Sequence, residues 1–139
     1  QCIVEIVRLC YDYIKPFMGE IADITQKLAK EDVKNVKTQA LEVWSSIAEE
    51  EHTKEEQNQP HHGIIETAFD MLIPLLEHTI QDLNIGNEEV DEEQEWGTST
   101  AAGCCLSLVT LVVRDKVVQP ITDFVAKNIQ YKDNWEKRY

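Results

Sequence analysis

The chain has 139 residues, 42% apolar and 28% charged, with five glycines and four prolines. It is long enough for one domain-sized core and is neither low-complexity nor disordered overall. Its 26 acidic against 13 basic side chains give a formal net charge of −13, which repels phosphate backbones and anionic membrane surfaces; nucleic acid is excluded as an expected partner and a basic protein or peptide is favoured. No run reaches the roughly 18 apolar residues that span a bilayer, so no membrane insertion is expected; the best stretch, residues 103–113, carries Ser107 and Thr110.

Apolar residues recur at helical spacing from the start: Ile3, Val7, Cys10 and Ile14 make a first helix, and Phe17, Ile21, Ile24 and Leu28 a second. Pro16 breaks the chain between them. A third helix carries Val33, Val36, Ala40, Val43 and Ile47, with Asp32 as its N-cap, and Trp44 lies on its apolar face and is expected in the core. The fourth carries Ile65, Ala68, Phe69, Leu72, Leu76 and Ile80; the fifth, residues 99–114, is apolar on nearly all sides; the sixth carries Val118, Ile121, Val125 and Ile129. Nothing alternates with period two over a useful length, so the expected fold class is all-α without a sheet. The chain has no initiator Met or signal peptide and opens as if mid-helix, so it is expected to be cut from a longer, soluble, intracellular protein.

The helices are related. Gln1, Cys2 and Ile3 align with Gln39, Ala40 and Leu41 at an offset of 38 residues, close to the period of helical-hairpin repeats, which runs at roughly 40–47 residues. A third copy, Ala102, Gly103 and Cys104, lies 62 residues beyond Ala40. The excess falls in two polar stretches, residues 49–63 and 84–97, each longer than an ordinary helix–helix connection. Residues 51–61 and 87–94 have too few apolar groups to offset the entropy of fixing them and are expected to be poorly ordered.

The chemistry points to binding. Cys2, Cys10, Cys104 and Cys105 have no CxxC spacing and read as buried small hydrophobes in a reducing compartment. His52, His61 and His62 fall in a polar loop, without the spacing that fixes metal ligands, and His78 stands alone. Ser45 and Ser46, and Thr98, Ser99 and Thr100, have no His–Asp partners, and there is no glycine-rich phosphate loop. No enzyme, cofactor or metal site is expected. Glu88, Glu89, Asp91, Glu92, Glu93 and Glu95 place six carboxylates in eight residues, either as solvated surface or as a site for an incoming cation. Trp96 beside them is either a buried anchor for the loop or an exposed aromatic face.

Residues 32–41, Asp-Val-Lys-Asn-Val-Lys-Thr-Gln-Ala-Leu, carry the pattern of a HEAT repeat. The acidic run ending in Trp96, followed by Ala101, Ala102, Gly103, Cys104, Cys105 and Leu106, resembles the acidic loop of the importin-β (karyopherin-β) family. Tyr13, Met18-Gly19, residues 41–45 and residues 49–51 fall in the order of the preceding repeat, and Lys132, Asp133, Asn134 and Trp135 resemble the opening of the next. The resemblance implies a HEAT-repeat α-solenoid of antiparallel hairpins: residues 1–14 the second helix of one repeat, 16–48 a full repeat, 64–114 a full repeat with the acidic insertion at 84–97, and 117–139 the start of another. It further implies a nuclear transport receptor found in cytoplasm, nucleus and pore, with three kinds of partner: an importin-α-type adaptor or basic import signal, Ran-GTP, and phenylalanine-glycine nucleoporins. The acidic loop and Trp96 would meet Ran and the adaptor. Ile21, Ile24 and Leu28 would meet nucleoporins by their place in the family, unless they are core. The alternative function is a HEAT scaffold subunit of a permanent phosphatase or chromosome-organising complex.

Overall fold

The computed structural model describes residues 2–29, 34–81 and 97–129. Six α-helices follow in order: α1 (Cys2–Ile14), α2 (Met18–Leu28), α3 (Lys34–Glu56), α4 (Ile64–Gln81), α5 (Thr98–Val113) and α6 (Val118–Ile129). Among the described residues there is no strand. Short 3₁₀ turns at Lys15–Phe17 and Arg114–Val117 join α1 to α2 and α5 to α6; Pro16 sits in the first, where its missing amide is not needed. The N-cap expected at Asp32 lies outside the described residues, as do Val33 and Trp135.

The helices stack in two layers. In one, α3 packs between α1 and α5; in the other, α2 lies against α3 and α4 against α5. One continuous core results, in which Val7, Leu41, Trp44, Ile47, Ile65, Leu72 and Val109 are all but inaccessible to solvent. Trp44 is core as its phase demands, and its indole N–H donates to Thr25 Oγ1 at 3.0 Å. The Thr25 hydroxyl in turn donates to the Ile21 carbonyl at 2.8 Å. A polar residue is thereby the fully buried one on α2, while Phe17 and Ile24, read as its apolar face, are exposed.

Three further expectations are corrected. On α1 the buried stripe is Val4, Val7, Tyr11 and Ile14; Cys10 falls to one side of it and is exposed, as are Cys2 and Cys104, leaving Cys105 alone buried. On α6 the buried residue is Asn128, while Val118, Val125 and Ile129 are exposed and Ile121 is half-buried. That helix meets its neighbours mainly through the turn before it, and Asn128 Oδ1 accepts from Gln81 Nε2 of α4 at 2.7 Å.

The third correction concerns residues 51–61. Six of these, residues 51–56, continue α3. The helix then ends in a Schellman turn: Asn58 has φ 54, its amide donates to the Glu55 carbonyl, and the Gln59 amide donates to that of Lys54 at 2.8 Å. His52 is therefore helical, and His61 and His62 lead directly into α4. Gly63, at φ +64, precedes the first residue of α4, a conformation that side-chain-bearing residues rarely adopt, and its carbonyl accepts the Thr67 amide at 3.1 Å.

Glu51 explains why this segment is ordered. It is 0% exposed, the next step on the stripe of Ala40, Trp44, Ile47 and Ala48. Its Oε1 accepts the Tyr11 hydroxyl at 2.6 Å and the Ile64 amide at 2.6 Å, and its Oε2 accepts the Ile65 amide at 3.1 Å. A carboxylate from α3 thus satisfies the unpaired amides of the first turn of α4, where the helix dipole favours negative charge, and ties both to α1. The Tyr11 oxygen also accepts the His62 amide at 2.9 Å, and the two rings stack at 5.2 Å. Burial first, and then the hydrogen bond to Glu51, push the Tyr11 hydroxyl well above the ordinary tyrosine range.

Removing this carboxylate is expected to be costly. Glu51→Gln should destabilise the chain by about 1.5–3 kcal/mol, as one charge-assisted acceptor becomes neutral. Glu51→Ala should cost about 3–5 kcal/mol, because a buried hydroxyl and two amides lose their partner together. Midpoints of urea unfolding check both, and an unchanged midpoint for Glu51→Ala would refute the assignment. Burial likewise pushes the Cys105 thiol up to about 11. At pH 8, iodoacetamide is expected to add to Cys2, Cys10 and Cys104 of the folded chain and to reach Cys105 only in denaturant, as read by peptide mass spectrometry.

Candidate protein-binding surfaces

Among the described residues, each layer carries a concavity. Between α4 and α6 is an open cleft of about 540 Å³. Phe69, Ile73 and Pro74 line it from α4, and Pro120 and Phe124 from α6. Phe69, Ile73 and Pro74 recur at helical spacing on one face of α4, and the helix continues through Pro74, which is exposed. The charged lining is mostly anionic, with Asp70 and Glu77 from α4 and Asp123 from α6 against Lys127, and His78 and Gln81 complete the polar groups. Desolvation raises the Glu77 carboxyl above the usual carboxylate range; Lys127 opposes the shift and Asp123 adds to it.

In the other layer a smaller hollow of about 290 Å³ separates α1 from α3. Glu5 and Arg8 of α1 and Glu42, Ser45 and Glu49 of α3 line it, so three carboxylates and a single guanidinium share the hollow. Glu42 Oε2 accepts from Gln39 Nε2 at 2.6 Å.

Of the residues singled out from sequence, Ile24 on α2 is 46% exposed, and Ile21 and Leu28 are partly buried. None is sequestered in the core, because Thr25 and Ala29 take the inward positions. Glu88, Glu89, Asp91, Glu92, Glu93, Glu95 and Trp96 lie outside the described residues. Among the described residues, no group of three or more His, Cys, Asp or Glu side chains is placed to hold a metal ion, and no helix is long and apolar enough to cross a membrane. Both concavities escaped sequence reading. Phe69 falls on the apolar stripe of α4 and packs partly against the core, Phe124 lies off the expected stripe of α6, and only the packing of separate helices brings the lining residues together.

No family model matches the chain. Two curated relatives align over 99% of it: importin subunit beta-1 of Arabidopsis thaliana at 31% identity and that of Schizosaccharomyces pombe at 33%. The chain spans 17% of the length of each. Among solved structures, importin beta crystallised in ammonium sulfate superposes with a TM-score of 0.85 at 26% identity, covering 99% of this chain and 16% of that one. A Kap95p–RanGDP structure and a Kap95–Nup1 complex each give a TM-score of 0.82 at 26% identity over the same shares. The two stacked layers of hairpins are those of a HEAT-repeat solenoid, and sequence and fold together place these 139 residues in the importin-β family.

Proposed function

We propose that the chain serves as a segment of a nuclear import receptor, working by binding rather than catalysis and moving between cytoplasm and nucleus through the pore. The observation that carries this reading is the match of 99% of the chain, at a TM-score of 0.82, to Kap95 in structures with Ran and with Nup1. The net charge of −13 supports it, since a strongly anionic surface attracts basic helices and speeds their encounter.

The division of labour follows the family resemblance. Glu88, Glu89, Asp91, Glu92, Glu93 and Glu95 draw in the basic surface of Ran-GTP or the basic helix of an importin-α-type adaptor. Trp96 offers its ring to the stems of Lys and Arg side chains. Ile24, with the flanking Ile21 and Leu28, offers apolar surface on α2 to phenylalanine-glycine nucleoporins.

Each loop carboxylate is expected to contribute only about 0.2–1 kcal/mol to binding a basic helix, and that share should fade above roughly 0.15 M salt, where the screening length falls below about 8 Å. Trp96→Ala should cost about 2–4 kcal/mol and be little affected by salt. Calorimetric titration of the receptor carrying this segment, with adaptor helix and with Ran-GTP, measures both. Neutralising the six carboxylates together should slow association with either partner and weaken Ran-GTP. Unchanged adaptor affinity in a folded Trp96→Ala variant would leave the carboxylates as the only contact of this loop.

A further inference from the structure

In a solenoid each unit is expected to touch the units beside it and no others. One cluster in this chain breaks that pattern. The α2/α3 hairpin separates α1 from the α4/α5 hairpin along the chain, yet the Tyr11 oxygen accepts the His62 amide at 2.9 Å and the two rings stack at 5.2 Å. His62 Nε2 lies 3.1 Å from the Asp12 carbonyl oxygen, and Lys54 of α3 pairs with the Asp12 carboxylate at 3.3 Å. Glu51 closes the cluster, because its carboxylate holds the Tyr11 hydroxyl together with the amides of Ile64 and Ile65. The turn at residues 57–63 cannot open without breaking these bonds together, and their shared acceptor is an anion fully out of water. The residues of positive φ in this turn are Asn58 and Gly63, types that adopt such a backbone readily.

The turn at Arg114–Val117 is built in the opposite way. Arg114 has φ 52 and ψ −121, a conformation that costs a side-chain-bearing residue free energy and persists only where its surroundings impose it. Two ion pairs hold it: Arg114 with Glu55 at 2.8 Å and Lys116 with Glu66 at 2.7 Å. Both are open to water, so each is weak and is weakened further by salt. Among the described residues little else secures α6. Ile121 packs partly against the core, and the Gln81–Asn128 hydrogen bond at 2.7 Å ties the far end of the helix to α4. An open cleft of about 540 Å³ otherwise parts the two helices. Val117, buried under the turn, supplies a pivot.

We propose that α1, α3, α4 and α5 move as one rigid block and that Arg114–Val117 is a hinge about which α6 swings away from α4, latched by the Arg114–Glu55 and Lys116–Glu66 pairs. The curvature of the stack changes at this joint while the joint at residues 57–63 stays fixed, and salt loosens the latch. The device belongs to the mechanics of the chain and stands whichever partners the chain binds.

Distances between paired spin labels, measured by double electron–electron resonance on the 139-residue chain with Cys2→Ser and Cys104→Ser throughout, test this. Cys10 on α1 and Asp70→Cys on α4 span the locked joint. Asp70→Cys and Ala126→Cys on α6, with Cys10→Ser, span the hinge; all three labelled positions are exposed. Raising the salt from about 0.1 M to about 1 M shortens the screening length from about 10 Å to about 3 Å. It is expected to broaden the α4–α6 distance distribution and shift it outward, and to leave the α1–α4 distribution narrow. Glu55→Ala with Glu66→Ala should reproduce that broadening at the lower salt. Tyr11→Phe with His62→Ala should do the reverse and broaden the α1–α4 distribution alone; circular dichroism confirms that each variant is folded. The salt comparison needs no change beyond the labels, so it decides the matter even where a variant fails to fold. An α4–α6 distribution unmoved by salt, or by loss of both carboxylates, overturns the hinge. Equal broadening across both joints overturns the division between a locked joint and a free one. A narrow α1–α4 distribution in the folded Tyr11→Phe, His62→Ala variant removes the lock.

Discussion

A carboxylate taken fully out of water is tolerable only when hydrogen-bond donors replace the water it has lost, and in this chain they come from two other helices at once. Glu51 sits on α3, accepts the hydroxyl of Tyr11 on α1, and caps the first turn of α4 through the amides of Ile64 and Ile65. Consecutive hairpins are thereby locked together at a defined point, and the position of α4, and with it one wall of the α4/α6 cleft, follows. Apolar contacts alone would let neighbouring helices slide with little penalty. Directional bonds to a buried anion do not.

Around that point lies a shell of weaker interactions. Lys54 places its ammonium 5.3 Å from the Tyr11 ring centroid and 3.3 Å from Asp12, and His61 Nδ1 accepts the Gly63 amide at 3.2 Å. Farther out, Arg114 reaches Glu55 at 2.8 Å and Lys116 reaches Glu66 at 2.7 Å. Lys116 holds the Glu66 carboxyl below the usual range, but both pairs are solvent-exposed and add little to stability. Their use is orientation, since they bind the turn between α5 and α6 to the ends of α3 and α4.

The two layers divide the chemistry of the surface. The layer of α1, α3 and α5 carries a polar hollow ringed by carboxylates, and the layer of α2, α4 and α6 carries an aromatic cleft with an anionic margin. Apolar side chains also stand exposed at both ends of the stack, with Ile6, Leu9 and Tyr13 on α1 and Val118, Val125 and Ile129 on α6. In a solenoid each hairpin leaves one flank for a neighbour to cover, so this distribution is what stacked repeats require.

Sequence by itself determined the six helices, their hairpin order and the core position of Trp44, because a period of three to four residues and the break at Pro16 are local properties of the chain. It also carried the family resemblance, through motifs spread along its whole length. The end of α3 was legible in principle: Glu51 continues the inward stripe of Trp44 and Ile47, and Asn58 with Pro60 is an ordinary helix stop. The density of charge in residues 49–56 hid that pattern, since a glutamate normally belongs in water. Only the tertiary structure decided that Glu51 is buried, that Thr25 rather than Ile24 faces the core, and that Phe69 and Phe124 share a cleft. Each of these depends on a partner 13 or more residues away, and no local periodicity encodes which distant donor, indole or ring a side chain will meet.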